Sequence, residues 1–146
     1  MSAKEAQEKI VANMRHWQKI ENASVASTGR VIEKTDNPIV RLVMELIQRD
    51  SQFHYRVQEL IAETLESRPV SLTPEELGKV WDLIEKHVEI EMETIRLAKD
   101  SLGRINGMKG MLVQQYLMEY LLLDEEKHAL ILENLSKIKG GMYPYA

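Results

Sequence analysis

Apolar and polar positions alternate along this chain with the period of a helix, and a few prolines and glycines cut the pattern into four long segments. The first, from about Ser2 to Lys34, carries the stripe Ile10, Met14, Trp17, Glu21, Ser24, Thr28, Val31. Its second half contains Ser24, Ser27, Thr28 and Gly29, weak helix formers that predict a bend or the close approach of a neighbouring helix. Thr35-Asp36-Asn37-Pro38 then reads as a turn. Asn37 is the expected N-cap, and Pro38 takes the first helical position, where a missing N–H costs nothing. The second segment, from Pro38 to about Ser67, admits two registers. One turns Val43, Ile47, Asp50, His54, Val57 and Ile61 inward; the other turns Met44, Ile47, Ser51, His54, Gln58 and Ile61 inward. Both put His54 inside.

After the break from Arg68 to Thr73, Thr73-Pro74-Glu75-Glu76 is a start signal with a threonine N-cap, proline at the first position and glutamate at the third. The third segment is expected to run on to about Leu102 along Ile84, Val88, Glu91, Ile95, Ala98 and Leu102, with Glu91 interrupting an apolar seam. Gly103 to Gly107 makes the next turn, and Gly110 is placed in the first turn of the last helix. That helix follows Gln114, Met118, Leu121, Glu125, His128, Leu132 and Leu135, and stops near Lys139, where Gly140 and Gly141 can adopt a left-handed conformation. The pattern thus predicts an all-α, antiparallel four-helix bundle over residues 1–139, and a tail over residues 140–146 that docks on the bundle or on a partner subunit.

Composition narrows the chemistry. No cysteine occurs, which removes disulfides, thiolate zinc sites and cysteine nucleophiles together. Lys and Arg number 19 against 23 Asp and Glu, interleaved along the chain, so no concentrated positive field invites nucleic acid. No run reaches the roughly 20 apolar residues of a membrane span, and Met1 to Lys9 lacks the apolar stretch of a signal peptide. These features predict a soluble, cytoplasmic protein. No nucleotide loop or nucleophile triad is present to support hydrolase or kinase chemistry.

The four histidines fall one to each segment, and each has an acid within five residues: His16 with Glu21, Asp50 with His54, His87 with Glu91, and Glu125 with His128. The order of acid and histidine alternates from segment to segment, so antiparallel helices would gather the histidines at one level and the carboxylates at another. Glu125 and His128, three apart, project from the same side of a helix and can grip one ion. Mixed imidazole and carboxylate ligands suit iron, manganese or zinc. His16 lies off the Glu21 stripe and reads as a surface residue. The expected ligands are therefore Glu21, Asp50, His54, Glu91, Glu125 and His128, with His87 as a ligand or as a group that orients one.

These residues resemble the pattern of ferritin-like, rubrerythrin-like diiron-carboxylate proteins, in which two helices each give a glutamate and two give Glu-x-x-His. Glu125 and His128 match the second Glu-x-x-His, Glu91 and Glu21 the lone glutamates, and His54 the first histidine. Ser51 stands where that family has glutamate, and Asp50 is the nearby substitute. The resemblance implies one or two bound iron ions, redox or oxygen-related chemistry, and a homo-oligomer such as a dimer. The break from Arg68 to Thr73 spans at most ~20 Å, whereas the family's crossover needs roughly 45 Å at helical rise. Up-down-up-down connectivity, as in haemerythrin-like bundles, or exchange of helices between subunits, meets that constraint. The rival expectation is a metal-free helical scaffold or oligomerisation module whose inward polar residues form a hydrogen-bonded network.

Overall fold

The computed structural model describes residues 1–142. Among these the chain is all-helical, without a strand, and forms five helices: α1 (Ala3–Lys34), α2 (Pro38–Glu66), α3 (Pro74–Gly78), α4 (Trp81–Ile105) and α5 (Leu112–Lys139). No helix of the described residues is long and apolar enough to cross a membrane. Residues 1–70 and the residues from Ser71 onward form two compact units.

The first unit is the hairpin of α1 and α2. Ser2 opens α1 with a capping box to Glu5, and Asn37 caps α2 by accepting hydrogen bonds from the amides of Ile39 and Val40, with Pro38 in the first position as expected. The helices run antiparallel, because partners along α1 climb while those along α2 descend: Arg15 pairs with Glu59 and Glu66, Ser24 with Ser51, and the Gln48 amide with the Val25 carbonyl at 3.2 Å. Gln18 donates to Glu59 at 2.7 Å, and together with Arg15 it holds the Glu59 carboxyl below the ordinary carboxylate range. The weak half of α1 does not break. The Thr28 hydroxyl lies 2.9 Å from the carbonyls of both Ser24 and Val25, so it is satisfied within its own helix. Gly29 lies at the close approach that its sequence predicts: a Cβ there would stand 3.7 Å from the Gln48 amide nitrogen.

The second unit joins α3, α4 and α5. The capping box of Thr73 and Glu76 forms, with bonds of 3.1 and 3.2 Å, but the helix it starts is short. The single helix expected from Pro74 to Leu102 is interrupted at Lys79 and Val80. Gly78 is the weakest helix former of that stretch after its first position, and Val80, with φ −120 and ψ 3, leaves the helical region before α4 begins. Four predicted segments thus become five helices. Leu77 on α3 is one of three buried apolar residues among those described, with Ala62 and Ile95. Gly110, expected inside the last helix, instead precedes it with φ +80, a left-handed conformation that glycine adopts without steric cost. At the other end of α5, Gly141 takes the left-handed conformation (φ +69), while Gly140 stays at φ −78. Of the tail expected over residues 140–146, residues 143–146 lie outside the described residues.

The buried positions of the first hairpin are polar apart from Ala62, namely Gln18, Glu21, Thr28, Ser51 and Gln58, whereas the second unit buries Glu91 beside Leu77 and Ile95. Trp17, Ile47 and Ile61, expected to face inward, keep more than a third of their surface exposed. Two helices share only one narrow seam, and within each pair that seam is where the carboxylates sit.

Candidate metal centre

In the second hairpin Glu91 is the centre of the polar cluster. It projects from α4 into the seam with α5 and is only 6 % exposed. Its Oε1 lies 2.9 Å from His87 Nε2, one turn earlier on α4, and 3.4 Å from His128 Nδ1 on α5. Its Oε2 is fully buried and has no hydrogen-bond partner. The neighbouring Glu125 side chain is the main influence that holds the Glu91 carboxyl below the ordinary carboxylate range; burial opposes it, and His87 and His128 reinforce it.

Glu125 and His128 face Glu91 from α5. Their three-residue spacing puts Glu125 Oε2 3.6 Å from His128 Nδ1, and Glu91, Glu125 and His128 can each offer a ligand atom within 4.8 Å of the others. Ligands ~2.1 Å from a tetrahedral ion stand about 3.4 Å apart, close to the 3.4 and 3.6 Å that separate His128 Nδ1 from Glu91 and Glu125. Two residues that the sequence did not single out complete the arrangement. The Thr94 hydroxyl lies 3.0 Å from Glu125 Oε2, and Asp124 Oδ2 lies 3.3 Å from His128 Nε2. Their signal was helical spacing alone: Thr94 is three residues after Glu91, and Asp124 four before His128.

The first hairpin assembles a smaller set. Glu21 is buried on α1, and its Oε1 lies 3.4 Å from His54 Nδ1 and 3.3 Å from Gln58 Nε2, both on α2. Gln58 is 3 % exposed, and its Oε1 has no partner. Of the two registers left open for α2, the structure takes the one with Ser51 and Gln58 inward. Ser51 is buried, its hydroxyl 2.8 Å from that of Ser24, while Asp50 is exposed and stands apart from Glu21 and His54. Asp50, expected as a ligand, is thus turned out of the seam in which Ser51 lies. His16 is exposed, as its position off the stripe implies.

Comparison of the chain with protein-family models, curated proteins and solved structures finds no match.

Proposed function

We propose that the second hairpin binds a divalent transition-metal ion through Glu91, Glu125 and His128, and that the four long helices are those of a ferritin-like bundle built around such a centre. The observation that carries this reading is the buried, unpartnered Oε2 of Glu91 beside two further ligand groups. A carboxylate oxygen taken out of water without a partner is costly, and a cation offsets that cost directly. The surrounding residues support it. His87 occupies the other oxygen of Glu91 and so orients the carboxylate, and Thr94 does the same for Glu125. Asp124 Oδ2 stands 3.3 Å from Nε2 of His128, which favours the proton on that nitrogen and a free lone pair on Nδ1, the nitrogen beside the two glutamates.

Iron is the ion that the sequence resemblance implies; manganese and zinc suit the same donors. Bound iron would supply redox or oxygen-related chemistry, while the chain orients the ligands and removes them partly from water. One ion has more support than two, because Ser51 brings no carboxylate to the first hairpin. There the cluster favours a metal-free role. Gln58 donates to Glu21, Ser24 bonds Ser51, and such buried polar contacts can set the register of two helices.

Calorimetric titration of chelator-treated protein with iron(II) under anaerobic conditions, manganese(II) and zinc(II) tests the proposal. Binding of at least one of these ions near one equivalent, with a raised unfolding midpoint, is expected. Lack of binding by all three, with an unchanged midpoint, overturns it.

A further inference from the structure

The second hairpin has another groove, lined by none of the proposed ligands. It lies between α4 and α5, encloses about 870 Å³, and runs along α4 from Trp81 to Lys99. Its floor is apolar: Val88, Ile95 and Leu132, with Met92 and Leu130 more than half exposed. Its walls carry Glu85, Glu89, Glu126 and Glu133 against the single cation Lys99. Glu133 meets Lys137 only at 3.9 Å, and Glu85, Glu89 and Glu126 have no ion-pair partner among the described residues. An apolar floor between acidic walls fits an amphipathic helix whose apolar stripe carries positive charge.

The chain itself contains such a helix. On α2, Leu42, Leu46, Arg49, Phe53, Arg56 and Leu60 follow one another at intervals of four and three residues, so they form one continuous stripe. The stripe points away from α1, because Phe53 and Leu60 each follow a buried seam residue, Ser51 and Gln58, by two positions, about 200° around the helix. Leu42, Phe53 and Leu60 are exposed, and the Arg56 guanidinium lies over the Phe53 ring at 5.1 Å, which keeps its charge on the stripe. Arg49 has only a long contact with Glu45, at 3.7 Å. Leu42 to Leu60 covers as many residues as Trp81 to Lys99, about 27 Å at ~1.5 Å per residue, so stripe and groove match in length as well as in charge.

We infer that α2 of one copy of this chain lies in the α4–α5 groove of a second copy, with Arg49 and Arg56 against the acidic walls and Phe53 on the floor near Met92. Because every copy carries both the stripe and the groove, a reciprocal exchange closes a twofold dimer with two equal contacts and no open end.

The lack of cysteine makes a direct test possible, since each variant can carry a single thiol. Phe53→Cys and Met92→Cys chains, purified separately, mixed and oxidised, are expected to yield a disulfide-linked species of two chains. Either variant alone should yield at least tenfold less. A chain with one cysteine cannot cross-link to itself, so this product reports only contact between copies. In parallel, light scattering of the wild-type chain should give twice the 16.9 kDa chain mass. Arg49→Glu/Arg56→Glu should weaken the dimer at least ~100-fold, and adding Glu89→Lys/Glu126→Lys to that variant should restore it, which excludes misfolding as the cause. A monomeric wild-type chain overturns the inference and leaves the groove to a basic helix of another protein. So does a dimer that tolerates Arg49→Glu/Arg56→Glu and gives no mixed cross-link.

Discussion

The two hairpins set one carboxylate on their first long helix against a histidine on the next, yet they surround that carboxylate differently. Glu91 meets two histidines and a second glutamate; Glu21 meets one histidine and the amide of Gln58. The difference comes from two positions. Four residues before the carboxylate, the second hairpin has His87 and the first has Trp17. Three residues before the histidine, the second hairpin has Glu125 and the first has Ser51. A serine side chain is too short to bring a ligand atom to Glu21, and it bonds the Ser24 hydroxyl across the seam instead. The second hairpin is thereby left with an acidic cluster that, under the proposed function, a cation would complete. At the matching position the first has only the neutral bond between Ser51 and Ser24.

Ser51→Glu is the most forceful way to erase that difference. It places a carboxylate in a buried seam and removes the bond to Ser24, so without metal the variant should be destabilised by about 3 kcal/mol. Added zinc(II) should restore much of the loss and raise the stoichiometry by one ion per chain. Thermal melts and titration with and without zinc check both; a variant that binds no additional metal would show that Glu21 and His54 cannot serve as ligands. Next in size, Glu125→Ala should weaken metal binding at least ~100-fold, about 2.7 kcal/mol, whereas Glu21→Gln should leave affinity within about threefold. Equal losses at the two positions, read by calorimetry, would end the distinction between the hairpins.

Gly29→Ala tests the packing of the first hairpin. The new methyl group would meet the Gln48 amide at ordinary contact distance, and alanine is the better helix former by about 1 kcal/mol. A rise of a few degrees in the unfolding midpoint is expected, and a fall would show that the seam is tighter than its distances imply. The smallest effect concerns acid. The folded-state pKa of Glu91 lies below its ordinary value of 4.5, so its contribution to stability is fully present above that value and disappears as pH falls through the depressed one. Urea unfolding of metal-free protein between pH 3 and 6 should show a shallower acid loss for Glu91→Gln than for the wild-type chain.

Much of this contrast is legible in the sequence, because caps and periodicity are local. Asn37-Pro38 and the Thr73–Glu76 box begin helices where they are expected to, and the interruptions at Glu21 and Glu91 mark buried carboxylates. The choice between Asp50 and Ser51 is not legible. Adjacent residues differ by 100° on a helix, and apolar neighbours such as Ile47 and Ile61 serve either register. Only the partner decides, and the Ser24 hydroxyl across the seam selects Ser51. The interruption at Val80 escapes for a similar reason: one glycine in a charged helical pattern is usually tolerated, and the break appears only once Leu77 is buried. Thr94 and Gln58 are polar residues that become informative only when the helix beside them is in place.

The short helix α3 has a practical consequence for handling the protein. Leu77 anchors the chain before α4 begins, so the residues between the end of α2 and Thr73 are the longest stretch outside any helix between two long ones. A protease that cuts there would leave each helical pair intact, along with its own carboxylate and histidine. Separating the two halves there would show by circular dichroism whether each pair keeps its helices, and titration of the second fragment would show whether Glu91, Glu125 and His128 hold a metal on their own.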